Sequence, residues 1–249
     1  MKINTPYKVP TRMNAVATLN NWPVYLLFCL VLCSGSIRAE QPAEFNISYA
    51  ARYGNWLAQS ERRLIYDAAT ATYNLRAQSK VLLLGTSVTT ITETATFGWQ
   101  GALPLPREYE YEQEGIGRRK RSISFDQKAA SATTQVNDAS VTIPLLASTY
   151  DDLTAFLVIK QQLQDAASEI YFDVLDRDNV KTYHYRVLDE DFLHTELGDF
   201  AAVHLERIRD ENSKRSTEFW LAMDYEYLLL KLLQEEPNGR ILQLEINAA

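Results

Sequence analysis

Cysteine is almost absent from this chain of 249 residues, which contains only two. Both of them, Cys29 and Cys33, lie in an apolar run near the N-terminus. If that segment is removed, residues 40–249 contain no thiol, and disulfides, thiolate metal sites and cysteine nucleophiles are excluded. The core of the remaining chain must then be held together by packing and hydrogen bonds.

Long hydrophobic runs are also missing. The longest, Trp22–Cys33, is shorter than the roughly 20 apolar residues that a membrane span needs. Lys2, Lys8 and Arg12 precede it and Ala39 follows a stretch of small residues, which is the pattern of a secretory signal peptide. The sequence therefore predicts a signal peptide over residues 1–39, cleaved after Ala39. An uncleaved membrane anchor is the disfavoured alternative.

The charge balance is acidic. Four of the 25 basic residues lie before residue 40, so residues 40–249 carry 21 basic and 32 acidic residues, a net charge of −11. This argues against nucleic acid and anionic membrane surfaces as partners. An exported chain without disulfides suits the periplasm of a Gram-negative bacterium. No linker or repeat divides residues 40–249, which are expected to form a single domain, not integral to the membrane.

Most of this domain is predicted to be strand, because apolar and polar residues alternate with a period of two. Tyr171–Leu175 and Tyr183–Val187 form a predicted hairpin around a turn at residues 177–179. Residues 81–97 favour strand, with helix left open, and Leu103–Pro106 must be irregular or an edge because proline donates no hydrogen bond. Further strands are predicted over Phe45–Tyr49, Phe192–Leu197, Phe200–Ile208, Tyr227–Leu233 and Ile241–Ile246, of which Tyr227–Leu233 is expected to be covered on both faces.

One amphipathic helix is predicted over about residues 150–165. Ser148 or Thr149 is its expected N-cap, with Asp151 and Asp152 completing a capping box. Leu153, Phe156, Leu157 and Leu163 form one apolar stripe with a period of 3.6, with Lys160 at its margin. The predicted fold class is mainly β: an antiparallel, strongly curved sheet or barrel-like shell with one helix.

No catalytic or metal-binding motif is present, and neither catalytic residues, a metal nor another cofactor is predicted. The three histidines, His184, His194 and His204, are too widely spaced for a typical metal site. A hydrolase would need His194 or His204 in one polar cleft with a carboxylate such as Asp191 or Glu206. Enzyme activity is therefore unsupported.

Two other features have open interpretations. The basic run Arg118–Arg121 could contact an anion or a lipid headgroup, but a solvated hairpin edge is favoured. Aromatic side chains could line an apolar cavity, although an ordinary core is the commoner use of such residues. The candidates for a cavity lining are Trp99, Phe156, Phe172, Phe219 and Trp220.

Several segments resemble one family. FNISYAARYGNW at 45–56, TIPLLASTYDDLTAFLVIKQQL at 142–163 and LGDFAAVHLERIRDENSKRSTEFWLAMDYEYLLLKLLQ at 197–234 are similar to domain-of-unknown-function family 3108 of exported bacterial proteins. The resemblance covers residues 45–246. It implies an exported antiparallel β domain and assigns no catalytic residue. The proline that the family often has near Tyr227 and Leu228 is absent here.

Three functions are compatible with these features. The first is a periplasmic binding or chaperone module for an apolar ligand, such as a lipid or the acyl chain of a lipoprotein. The second is a structural or assembly partner of envelope proteins that binds no small ligand. A hydrolase is third. An internal cavity would favour the first, and a filled interior with an exposed apolar patch would favour the second.

Overall fold

The computed structural model describes residues 41–136, 139–145 and 148–247. The signal peptide predicted over residues 1–39 and the cleavage after Ala39 lie outside the described residues. The described chain forms fifteen strands and one helix. The strands are β1 Phe45–Tyr53, β2 Trp56–Asp67, β3 Thr72–Leu83, β4 Thr86–Gln100, β5 Leu103–Gly115, β6 Arg119–Asp126, β7 Ser131–Val136, β8 Ala139–Pro144, β9 Thr149–Tyr150, β10 Glu169–Asp176, β11 Asn179–Thr195, β12 Gly198–Ile208, β13 Ser216–Ala222, β14 Leu228–Glu235 and β15 Ile241–Ile246, and the helix is α1 Thr154–Gln164.

All fifteen strands belong to one sheet, in the order β8-β7-β6-β5-β4-β3-β2-β1-β15-β14-β13-β12-β11-β10-β9. Neighbouring strands are antiparallel, except that the two-residue strand β9 runs parallel to β10. The first and last strands pair directly, with Tyr49 opposite Ile246. The sheet is strongly curved but not closed, and its edges, β8 and β9, follow each other in the chain. This confirms the predicted fold class.

The predicted hairpin at residues 171–187 is confirmed, since β10 and β11 pair around a two-residue turn at Arg177 and Asp178. The open question about residues 81–97 is settled in favour of strand. Leu84 and Gly85 join β3 to β4 with φ angles of 51° and 80°. Positive φ at both turn residues matches the twist of the two strands.

The proline-containing segment Leu103–Pro106 begins strand β5 and pairs with β4. Pairing with β6 starts only at Glu108. Proline is tolerated here because this part of β5 pairs with β4 only. Its other side has no paired strand, as at the edge of a sheet.

The prediction that Tyr227–Leu233 is a central strand covered on both faces is confirmed in part. The strand starts at Leu228 and lies between β13 and β15, but Lys231 and Leu233 on its outer face are only half-buried. The register of the β13–β14 pair shifts near Trp220, opposite the point where Leu229 and Leu230 are both buried. This local irregularity explains why the sequence looked apolar on both faces.

Helix α1 begins differently from the prediction. Asp151, rather than Ser148 or Thr149, supplies the cap: its Oδ1 accepts hydrogen bonds of 2.9 Å from the backbone amides of Leu153 and Thr154. The hydroxyl of Thr154 donates to Asp151 Oδ2 at 2.7 Å and accepts from the Asp151 amide at 3.2 Å. This is a reciprocal capping box, shifted along the chain from the expected position.

The helix is also buried on more sides than one stripe would provide. Ala155, Leu157, Val158, Ile159 and Leu163 are all buried. The reason is that α1 lies inside the curvature of the sheet, where strands face it from several directions. Among the described residues, no helix is both long enough and apolar enough to cross a membrane.

Two hydrophobic clusters pack against the helix. The first cluster comes from β1 and β9–β15 together with Ala155, Val158, Ile159 and Leu163 of the helix. The second cluster comes from β2–β7 together with Leu153, Leu157 and Leu175. Both clusters therefore depend on the same helix.

Candidate ligand-binding cavity

A cavity of about 750 Å³ lies between α1 and the inner face of the sheet. This volume is within the range of about 300–1,000 Å³ that is typical of small-molecule sites. Most of the apolar lining belongs to or packs against the first cluster. Six of the lining side chains are Ile47, Tyr49, Ile159, Tyr185, Leu229 and Leu232.

Three of the five predicted lining residues are brought together at this cavity. Phe156 of α1, Phe172 of β10 and Phe219 of β13 all line it. The ring centroids of Phe156 and Phe219 are 6.2 Å apart, and Tyr185 lies 5.6 Å from Phe219 and 5.7 Å from Phe172. These rings form a continuous aromatic wall.

The two tryptophans are placed elsewhere. Trp99 packs beside Phe97, with ring centroids 6.4 Å apart, at the second cluster. Trp220 lies on the outer face of the sheet, stacked at 4.2 Å on His204 and covered by Lys231. Successive residues of a strand face opposite sides, so Phe219 and Trp220 could not both point inward. The prediction for Trp220 was wrong for this reason, and Trp99 does not line the main cavity.

One end of the cavity is polar. It is lined there by Arg62 of β2, Glu93 of β4, Arg207 of β12 and Asp152, which precedes α1. Nothing in the sequence marked Arg62 or Arg207 as site residues. The inward-facing positions of β2 are Ser60, Arg62 and Leu64. Because two of these three residues are polar, the strand does not show the alternation of apolar and polar residues by which an inward face is recognised in a sequence.

A buried hydrogen-bond network supports this polar end. The hydroxyl of Tyr109 donates to Glu93 Oε1 at 2.7 Å, and Arg121 donates to the same hydroxyl at 3.1 Å. Arg121 also pairs with Asp152 at 3.2 Å and with Asp176 at 3.1 Å. Burial raises the pKa of Glu93, although the hydrogen bond from Tyr109 opposes this shift. The neutral form of Glu93 is therefore favoured more than in water.

The basic run has two different environments. Arg118, Arg119 and Lys120 are exposed, as expected for a solvated edge, whereas Arg121 points inward and carries the network described above. A second cavity, of about 360 Å³, is lined by Arg119, Lys120, Arg121 and Arg177 and shares Glu93 and Asp152 with the main cavity. The solvated-edge interpretation is therefore wrong for Arg121, and a basic surface adjoins the polar end.

Another part of the cavity lining comes from the C-terminal half of the helix and the turn before β14. Lys160 forms an ion pair with Glu226, and both residues line the cavity. Tyr227 donates to the backbone oxygen of Leu163 at 3.4 Å. Its φ angle of 54° cannot be adopted by proline, so the missing family proline would not fit at this position.

The histidines are dispersed. His184 contacts Glu169, His194 contacts Asp199 at 2.6 Å on an exposed hairpin end, and His204 contacts Glu218 at 2.9 Å. No group of three or more potential metal ligands occurs in the described ranges. The hydrolase arrangement of His194 or His204 with Asp191 or Glu206 is not assembled in one cleft: His194 is exposed, and His204 stacks on the outer-face residue Trp220.

The fold and the cavity define a class of protein in which one curved antiparallel sheet surrounds a helix and leaves an internal space beside it. The chain belongs to the family described as "Protein of unknown function (DUF3108)", whose model matches residues 45–246. The search of curated proteins found no match. The chain is similar in fold to the crystal structure of a beta-barrel-like protein of domain of unknown function DUF1849 from Brucella abortus. That likeness has a TM-score of 0.53 at 8% identity and covers 83% of this chain and 97% of that chain.

Proposed function

We propose that this protein is an exported binding module that encloses the apolar chain of a ligand, such as a lipid or the acyl chain of a lipoprotein, in the cavity beside α1. The observation that carries the proposal is the cavity itself. This space is partly open to solvent and has the volume of a small-molecule site. The aromatic wall of Phe156, Phe172 and Phe219 offers an apolar chain a continuous surface.

The alternative, an assembly partner without a small ligand, gives no reason for such a cavity. A protein that acts only through its outer surface gains stability when its interior is filled, because each void forfeits packing contacts. The cavity therefore favours the binding module over the assembly partner.

The proposal can be tested with two adjacent residues of β14. Leu232 lines the cavity, whereas Leu233 lies on the outer face of the same strand, and both are half-buried. Leu232→Trp should fill part of the cavity and reduce binding of a fluorescent acyl-chain probe at least about tenfold, as expected when about 1.4 kcal/mol of contact is lost. Leu233→Trp is the matched control and should bind the probe as the wild type does.

Native mass spectrometry of the protein purified without detergent gives an independent measurement. We expect an excess mass that is removed by organic extraction and is reduced in Leu232→Trp. A clean apo mass together with no binding of the acyl-chain probe would refute the binding module and favour the assembly partner.

The proposed export is tested separately. Fractionation of expressing cells should recover the protein in the periplasm, with an intact mass that corresponds to a chain starting at Glu40. A cytoplasmic protein that retains residues 1–39 would contradict cleavage after Ala39.

A further inference from the structure

Two cations at the polar end of the cavity are not in direct contact with an acidic side chain. Arg62 and Arg207 are both half-buried, and within the described ranges neither forms an ion pair. Their guanidinium groups face aromatic rings instead. The guanidinium carbon of Arg62 lies 5.6 Å from the ring centroid of Phe156, and that of Arg207 lies 3.3 Å from the ring centroid of Tyr183.

The other cations in or beside the cavity differ from this pair. Arg121 is held by Asp152 and Asp176, and Lys160 is held by Glu226. Arg62 and Arg207 are thus the cavity-lining cations whose charge is left for another group to neutralise. A guanidinium removed from bulk water gains most from a bidentate contact with a carboxylate or phosphate.

The acidic groups nearby do not cancel this positive charge. Asp152 is already engaged by Arg121. Glu93 accepts the hydroxyl of Tyr109, and its burial favours the protonated form, although Arg62 acts in the opposite direction. The polar end therefore presents two guanidinium groups without an ion-paired carboxylate beside an apolar space.

We propose that the ligand is a single-chain anionic amphiphile, whose acyl chain lies along the aromatic wall and whose carboxylate or phosphate head lies between Arg62 and Arg207. This inference rests on the proposed binding function and specifies the class of ligand. The adjoining basic cavity with Arg119, Lys120 and Arg177 leaves room at this end for a head larger than a carboxylate.

The test compares ligands that share one chain and differ in the head. Dodecanoate and dodecyl phosphate carry the anion, and dodecanol is the neutral control. Isothermal titration of the wild type should show each anion binding at least about tenfold more tightly than dodecanol, the factor expected for charge-assisted hydrogen bonds. The ratio between the two anions distinguishes a carboxylate head from a phosphate head.

The matching variants remove the guanidinium charge and keep an unbranched, apolar side chain. Arg62→Met combined with Arg207→Met should reduce the preference for the anions over dodecanol to within about twofold, and dodecanol should still bind. Arg63→Met is the control, because Arg63 is the exposed neighbour of Arg62 on the same strand. Binding of dodecanol also reports that the double variant is folded.

The outcomes separate the two proposals. If the wild type binds neither the anions nor dodecanol, the binding function itself fails. If dodecanol binds as tightly as dodecanoate and dodecyl phosphate, the binding function stands and the anionic ligand is refuted. If the preference for anions survives in the double variant, the head does not lie at Arg62 and Arg207.

Discussion

The two hydrophobic clusters on either side of α1 are built from similar residues but contribute unequally to the lining of the cavity. In the second cluster, Leu64, Phe97, Tyr109 and Ile123 are essentially without exposure. In the first cluster, aromatic rings such as Phe219 border the cavity of about 750 Å³. One helix serves both. We call the second cluster, whose buried residues give the cavity only Leu75, Leu153 and Leu157, the packed half, and the first cluster, which supplies most of the apolar lining, the hollow half.

The difference indicates which half provides stability and which is available for binding. Burial of apolar surface with full contact stabilises the folded chain, and a ring beside an empty space gains only part of that energy. The packed half can hold α1 in position while the hollow half leaves one side of the helix open to a ligand. Substitutions in the two halves should therefore have different consequences.

The largest expected effect comes from replacing one phenylalanine in each cluster by alanine. Phe97→Ala should lower the free energy of unfolding by about 3–5 kcal/mol, because Phe97 is fully buried and stacked at 5.5 Å on Tyr73. Phe219→Ala should cost only about 1–3 kcal/mol, since Phe219 already borders a void, but it should alter binding of the acyl-chain probe. Urea denaturation of the two variants provides the comparison, and equal losses would show that the halves are packed alike.

The next effect concerns the start of the helix that both halves share. Asp151 is fully buried, and burial raises its pKa from 3.8 to about 6 although hydrogen bonds from Thr154 and Leu153 oppose the shift. The folded chain thus keeps this proton to a higher pH than the unfolded chain does. The free energy of unfolding should therefore fall, by about 3 kcal/mol from this group, as the pH rises from about 4 to 6.

Asp151→Asn removes this titration and keeps an oxygen that can accept the backbone amides. The difference in unfolding free energy between wild type and variant should change across pH 4–6 and be constant above that window. Because α1 contacts both clusters, unfolding should remain one cooperative transition at each pH. A difference that does not vary with pH would contradict the raised pKa of Asp151.

The smallest effect is expected on the outer face. Trp220→Ala removes a half-exposed ring that stacks on His204 and lies under Lys231, and it should cost about 1 kcal/mol. Because Trp220 faces away from the cavity, probe binding should be unchanged. A loss of binding without a larger loss of stability would show that the outer face takes part in the site.

The sequence predicted the strands better than the interior. The alternation and turn residues around Arg177 and Asp178 were sufficient to identify the β10–β11 hairpin, because register there is set by local chemistry. The predicted N-cap, Ser148 or Thr149, differs from the observed one, Asp151, because serine, threonine and aspartate are all favoured N-cap residues. Arg62 and Arg207 were missed because a charged residue in a strand normally faces water, and only the three-dimensional curvature shows that these two face a cavity.

The order of strands also has a consequence for how the chain folds. Nearly every strand pairs with its neighbour in sequence, so most of the sheet can form through short loops at little entropic cost. Only the β1–β15 pair, with Ala51 opposite Leu244, joins distant parts of the described chain. We expect this pair to form after the folding transition state, so that Leu244→Ala accelerates unfolding and leaves the refolding rate nearly unchanged in stopped-flow measurements. Slower refolding would show instead that the two ends of the chain meet early.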